Sequence, residues 1–249
     1  LNLKTIIGLG ICDKIIYRYT CKREADYIVN VFDIMGPVMV GPSSSHTAGA
    51  VKIGYIARKL MKDDLKQAKI YLHGSFLMTG KGHGTDKALI AGLLGMKPDD
   101  ERIPDSFRYA KEVGLEFEFG EIDLKDAHPN SVLLKLTGSD GNSLEIVASS
   151  IGGGSVVINQ IDGVEADITA SYPTLIIKNI DKPGHVAMVT SLLSKHDINI
   201  ATMRIRRDKR GGTAVMIIEC DQPIPSDVID VLSNSRGVKK VTYINVEEE

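Results

Sequence analysis

The sequence predicts an α+β protein of two parts, a first domain built on a mixed, largely antiparallel sheet and a smaller ferredoxin-like module after it. Three observations carry that reading. Between residues 69 and 161, short runs of alternating apolar residues recur, separated by Gly and Asp-Gly turns, as antiparallel strands require. Two segments before and among them, around 48–61 and 85–96, instead space their apolar residues at helical intervals. From about residue 172 onward the patterns fall in the order βαββαβ, the ferredoxin-like arrangement.

Taken in order, Ala50, Ile53, Ala57, Leu60 and Met61 mark the first helix. Lys69 to Leu77 alternates as a strand, a glycine-rich loop over 78–84 follows, and Ala88, Leu89, Leu93 and Met96 mark a second helix over about 85–96. Asp99 to Arg102 reads as a charged connection. Leu115 to Phe119 and Ser131 to Thr137 are strands, and Asp140-Gly141 turns the latter into Leu144 to Val147. Gly152-Gly153-Gly154 is a bend before Val156 to Ile161, which Asp162-Gly163 ends. The boundary falls between Asp162 and Tyr172, giving domains over 31–165 and 172–249. In the second, strands over 175–180, 198–207, 213–220 and 238–246 alternate with helices over 185–196 and 225–235.

Composition narrows the function. At 249 residues, with 43% hydrophobic and 25% charged residues, the chain has the make-up of an ordinary globular protein with ample core. A formal charge of −2 gives no footprint for nucleic acid. The basic run Arg204, Arg206, Arg207, Lys209 and Arg210 reads as a solvated hairpin end. Cys12, Cys21 and Cys220 are scattered, which suits neither a disulfide framework nor a zinc site, and implies free thiols in a reducing, cytoplasmic setting. Such a set cannot hold an iron–sulfur cluster, which takes clustered thiolates. The apolar stretch Ile6 to Ile11 is too short to span a membrane and lacks a cleavage site.

Two segments carry the chemistry. Gly41-Pro42-Ser43-Ser44-Ser45-His46-Thr47 and Thr79-Gly80-Lys81-Gly82-His83-Gly84-Thr85-Asp86 are polar or glycine-rich, each holds one imidazole in its loop, and each runs into a helix. Helix N-termini offer unpaired N–H groups to a carboxylate or phosphate, glycines let the backbone approach a ligand, and histidine moves protons near neutral pH. Together they suggest a site for a small anionic substrate. The second segment is not a P-loop, because Gly82 stands where a hydroxyl residue should follow the lysine. It is not a dinucleotide fingerprint either, since Thr85 or Lys87 stands where the third glycine belongs. No lysine sits in a recognisable pyridoxal-phosphate motif. His73, His128, His185 and His196 read as ordinary polar residues.

The wording of these segments, with Val31-Phe32-Asp33-Ile34-Met35-Gly36-Pro37 before them, resembles the β chain of iron–sulfur-dependent bacterial L-serine dehydratases over about residues 31 to 249. That family's chains are expected to begin near Val31, so residues 1–30 are read as an N-terminal extension without a function. Asp181-x-Pro183-Gly184 and Ile198-Asn199-Ile200 make the second domain similar to ACT domains, which bind amino-acid effectors and commonly pair. The first domain has a likeness to a substrate-binding domain of phosphoglycerate dehydrogenases. The resemblance implies deamination of L-serine to pyruvate and ammonia, with His46 and His83 catalytic. Ser43, Ser44, Ser45, Thr47, Lys81, Thr85 and Asp86 would line the substrate site. Asn179, Asp181, Gly184 and Asn199 would form the effector site. The [4Fe–4S] cluster would sit on a separate α chain, and this chain would supply no metal ligand. Two rival readings differ in class: a non-catalytic amino-acid-sensing subunit, and an anion-binding accessory domain of a dehydrogenase, against which the missing dinucleotide fingerprint counts.

Overall fold

The computed structural model describes residues 38–245 apart from residue 62. The extension at 1–30, Cys12, Cys21 and the motif Val31 to Pro37 lie outside the described residues. Helices and two sheets alternate along the chain, the α+β class the sequence predicts. A short π-turn over Ser44–Ala48 leads into α1 (Gly49–Met61). Then come β1 (Leu65–Leu72), α2 (Gly74–His83), α3 (Thr85–Leu93), α4 (Ser106–Glu112) and strands β2 (Glu116–Glu121), β3 (Ser131–Gly138), β4 (Ser143–Gly152), β5 (Ser155–Ile161) and β6 (Val164–Ile168). The second domain comprises β7 (Thr174–Ile180), α5 (His185–Lys195), β8 (Ile200–Arg207), β9 (Thr213–Cys220), α6 (Ser226–Ser233) and β10 (Val238–Ile244).

The first sheet has strand order β2-β1-β3-β4-β5-β6 and is antiparallel except where β1 meets β2. The parallel pair needs a crossover, and α2, α3 and α4 supply it. Helices α1 and α3 cross at glycines. A Cβ on Gly92 would lie 2.0 Å from the Val51 carbonyl oxygen, and one on Gly54 would lie 2.4 Å from that of Leu89. Only hydrogen at both positions lets the backbones touch and bury Val51, Ile53, Ile56, Leu89 and Leu93.

The second sheet has order β10-β7-β9-β8, all antiparallel, the ferredoxin-like topology read from the βαββαβ pattern. Its central strands are apolar on both faces, and alternation sends each face to a different core. Leu175, Ile177, Met216 and Ile218 pack under α5 and α6 with Val189, Leu193, Val228 and Leu232. Ile176, Val215, Ile217 and Ile244 face the other way and join the core of the first domain. The seam is flanked by ion pairs from Lys240 to Asp162 and from Arg206 to Glu165, each 3.6 Å.

Three features differ from the sequence reading. The strand expected over 69–77 runs earlier, over Leu65–Leu72. The expected glycine loop is the C-terminal half of α2, and the break falls only at Gly84, whose φ of +67° ends that helix before α3 begins. Helix α4 and strand β6 carry patterns too short to stand out, and β6 falls inside the stretch assigned to the domain boundary. The basic run does lie at the solvated end of the β8–β9 hairpin, with Arg206, Arg207, Lys209 and Arg210 exposed, and its arginines on β8 pair with Glu219, Glu165 and Asp181.

Candidate active site

The site is built where the π-turn meets the elbow between α2 and α3. Ser43, in extended conformation, caps the turn: its Oγ accepts from the His46 N–H (3.1 Å) and its carbonyl from that of Thr47 (2.9 Å). Gly41, at φ +138°, brings the chain so close that a Cβ there would sit 2.4 Å from a Thr47 methyl carbon. The serine–histidine segment therefore opens a helix by capping, as such residues do.

Two buried hydroxyls then stitch the segments together. Thr47 Oγ1 donates to the His83 carbonyl (3.0 Å), and Thr85 Oγ1 donates to the His46 carbonyl (2.9 Å). Each threonine thus binds the backbone of the other segment's histidine. Gly80 permits the approach, since a Cβ there would already be 3.3 Å from the Thr85 Cβ. The two imidazoles end with centroids 4.9 Å apart, and the Phe76 ring packs edge-on against His46 at 5.4 Å.

His46 Nε2 lies 3.1 Å from Ser75 Oγ and 3.0 Å from Thr79 Oγ1. Burial chiefly, and then the charge of His83, push the His46 pKa below its ordinary 6.5, against a smaller opposing pull from the Ser75 carbonyl. His46 is thereby held neutral and ready to accept a proton near neutral pH. His83 Nδ1 is buried and has no hydrogen-bond partner among the described residues.

The remaining expected residues fall into three groups. Ser44 and Ser45 lie half-buried on the turn beside His46. Thr47 and Thr85 are buried, with their protons committed to carbonyls, so they brace the site. Lys81 is exposed on α2, and Asp86 accepts from the Lys87 N–H at the start of α3. Sequence reading missed Ser75 and Thr79; their i, i+4 spacing points to one helix face only once 74–83 is known to be helical.

In the second domain the four expected effector residues each have their own surroundings. Asp181 accepts from the Gly211 N–H (3.0 Å) and pairs with Arg207 (3.3 Å). Asn199 donates to Asp221 (2.6 Å) and, through its N–H, to Gln222 (2.7 Å). Asn179 is buried, with its Oδ1 unpartnered among the described residues. Gly184, at φ +97°, opens α5 and borders an open cavity of about 470 Å³ whose wall includes Lys182, His185 and Arg236, none of which sequence reading singled out for a site.

Among the described residues the donor set does not suit an iron–sulfur cluster. Cys220 is buried in the second core, and burial pushes its thiol up to about 11, whereas a cluster ligand is a thiolate. No three His, Cys, Asp or Glu side chains there gather into a metal-holding group. Nor is any described helix long and apolar enough to cross a membrane.

Comparison with known proteins shows the family. Residues 30–161 match the family described as serine dehydratase beta chain, and residues 174–237 match the ACT domain. The L-serine dehydratase beta chain of Peptoniphilus asaccharolyticus is 37% identical over 87% of this chain and 98% of its own length. The probable L-serine dehydratase beta chain of Bacillus subtilis is 40% identical over 86% of this chain and 97% of its own. L-serine dehydratase 1 of Escherichia coli is 30% identical over 59% of this chain but only 37% of its own length. Matched by that family over more than half its length and by two beta chains over nearly all of theirs, the chain belongs to the serine dehydratase beta chain family.

Proposed function

We propose that this chain is the β subunit of an L-serine dehydratase, eliminating water from L-serine to give, after hydrolysis, pyruvate and ammonia. The observation that supports it most is the His46–His83 pair, two imidazoles 4.9 Å apart with His46 kept neutral. The reaction needs a base for the weakly acidic Cα proton and help for a poor leaving group, hydroxide. One imidazole takes the Cα proton and the other holds or protonates the departing oxygen, so that the proton removed at carbon is balanced by one delivered to oxygen. The Ser44 and Ser45 N–H groups at the start of the π-turn, with their half-buried hydroxyls, bind the carboxylate. The released aminoacrylate becomes an imine and hydrolyses without further help.

The described residues do not fit a [4Fe–4S] cluster, so we place it on a separate α chain docked over this site. The Escherichia coli relative is consistent with a divided enzyme, since this chain matches only 37% of its length. When bound there, a cluster supplies a Lewis acid for the substrate hydroxyl.

Co-expression with a cognate α chain, anaerobic purification and a pyruvate assay test this reading. His46→Ala and His83→Ala should leave the two chains associated and lower turnover by about 10²–10⁴-fold, the usual worth of a positioned acid or base. Turnover unchanged in both variants would make this a non-catalytic subunit. The chain alone should hold no iron and show no activity.

The ACT domain makes amino-acid sensing a second role compatible with the first. The cavity beside Gly184, with Lys182 and Arg236 on its wall, would take the carboxylate of an amino-acid effector at the start of α5. Calorimetry of the full chain with L-serine, against Arg236→Ala, checks it. Equal heats from both would remove the cavity from the account.

A further inference from the structure

Thr79 has one hydroxyl proton and two neighbours within reach of it. Its Oγ1 lies 2.8 Å from the Ser75 carbonyl oxygen, one helical turn back, and 3.0 Å from His46 Nε2. A carbonyl oxygen can only accept, so the proton of Thr79 belongs to that bond. The contact with Nε2 is then favourable only if the imidazole nitrogen donates. Were Nε2 unprotonated, a lone pair would face a lone pair at one of the two contacts. Ser75 Oγ, 3.1 Å from the same nitrogen and 3.5 Å from Thr79 Oγ1, keeps its own proton free to turn either way and can accept from the same N–H. In neutral histidine a proton on Nε2 leaves the lone pair on Nδ1.

We infer that Ser75 and Thr79 are positioning residues that hold neutral His46 as its Nε2–H tautomer, leaving Nδ1 as the only nitrogen able to take a proton. The inference rests on the proposed function for its catalytic consequence, but not for the tautomer itself. The choice of hydroxyls over a carboxylate has a chemical meaning. An Asp or Glu at this place would stabilise the imidazolium and raise its basicity at the cost of keeping it charged. A hydroxyl pair orients the ring while adding no negative charge. The i, i+4 spacing puts both hydroxyls on one face of α2, and the packing of Phe76 against the imidazole fixes the ring from a second side.

The test uses two independent readouts. Nitrogen-15 NMR of the full chain labelled in histidine, above the titration of His46, should show a protonated Nε2 and an unprotonated Nδ1. In the active complex, Thr79→Val should lower kcat about tenfold or more with KM changed far less, as expected when a reacting group loses its orientation rather than its substrate. Thr79→Ser, which keeps the hydroxyl, should recover most of that loss, and Ser75→Ala should be milder than Thr79→Val. A lone pair on Nε2 in the native ring overturns the inference, as does a Thr79→Val enzyme with unaltered kcat in a complex where His46→Ala is inactive. If His46→Ala stays active while the Nε2–H tautomer is observed, the functional reading fails and the tautomer stands.

Discussion

The two domains solve the same problem, holding polar groups beside a helix start, in opposite ways. In the ACT domain the turn from β7 to α5 is local: Asp181 to Gly184 make it within four residues, and Gly184 has open space around it despite its φ of +97°. In the first domain the site exists only because distant segments are stitched together, His46 to Thr85 and Thr47 to His83. A turn made by neighbours is set by φ and ψ. A site made by crossing helices is set by which side chains are absent from the crossing.

That contrast predicts the largest effect. Gly92→Ala places a Cβ 2.0 Å from the Val51 carbonyl, backbone that cannot swing aside, so α1 and α3 must separate. The cost should reach about 3 kcal/mol or more, the upper end for overpacking, and abolish the site with it. Gly184→Ala meets nothing within 4 Å and pays only for its positive φ, about 1 kcal/mol. Thermal unfolding of the two variants side by side checks the comparison. Equal losses would mean that conformational strain, not close approach, governs both glycines.

The next effect is smaller and falls on the stitches. Thr85→Val keeps the shape but removes the proton that a fully buried hydroxyl gives to the His46 carbonyl. It should cost about 1 kcal/mol, the usual net worth of one hydrogen bond. Turnover should also fall, because the carbonyl it releases belongs to His46, one of the two histidines we propose as acid and base. Denaturant titration and the pyruvate assay read the two losses separately.

These domains also differ in how openly the sequence displays them. The second domain was legible strand by strand because its strands are short apolar runs with Gly-, Asp- and Pro-bearing turns between them; β9 matches its expected span, Thr213 to Cys220. The α2 helix was not legible. Gly80 and Gly82 each weaken a helix by about 1 kcal/mol against alanine, so the segment resembles a loop. Tertiary contact offsets that preference: Phe76 is buried, and Gly80 lets α2 come close to Thr85, whose Cβ would lie 3.3 Å from a Cβ placed there. Reading 78–84 as a loop hid the helical face that carries Ser75 and Thr79. His46 and His83 were visible as candidates in the sequence, but the helical face that brings the Ser75 and Thr79 hydroxyls to His46 was not.

A pH profile sharpens the contrast further. Because His46 sits below its ordinary 6.5, the acid limb of kcat/KM should lie below pH 6.5. His83→Gln removes the neighbouring charge that helps to depress it, and whatever activity remains should have its limb shifted upward. The sign for stability follows from proton counting. Between the lowered value and 6.5 the unfolded chain binds more protons than the folded one. The contribution of His46 is therefore complete above pH 6.5 and is lost as pH falls through the folded value. No His46-dependent loss of stability across that window, measured against His46→Gln, would place the imidazole in a more solvated setting.

The smallest effect concerns the seam between the domains. Ile176, Val215, Ile217 and Ile244 turn their backs on the ACT helices and bury themselves in the first core, so the domains share apolar contact as well as chain. The ion pairs flanking that seam are a different matter. Arg206 and Glu165 are 59% and 65% exposed and 3.6 Å apart, where water and salt screen them. A double-mutant cycle on Arg206→Gln and Glu165→Gln should give a coupling of about 0.5 kcal/mol or less, shrinking further as salt is raised. A coupling several times larger would mean that charge, rather than the buried face of β7 and β9, fixes how the ACT domain meets the first domain. A signal passing from the cavity at Gly184 to His46 would then be sensitive to ionic strength. The buried face argues against that, because packed side chains have few alternative arrangements and pass a displacement on without needing a charge to carry it.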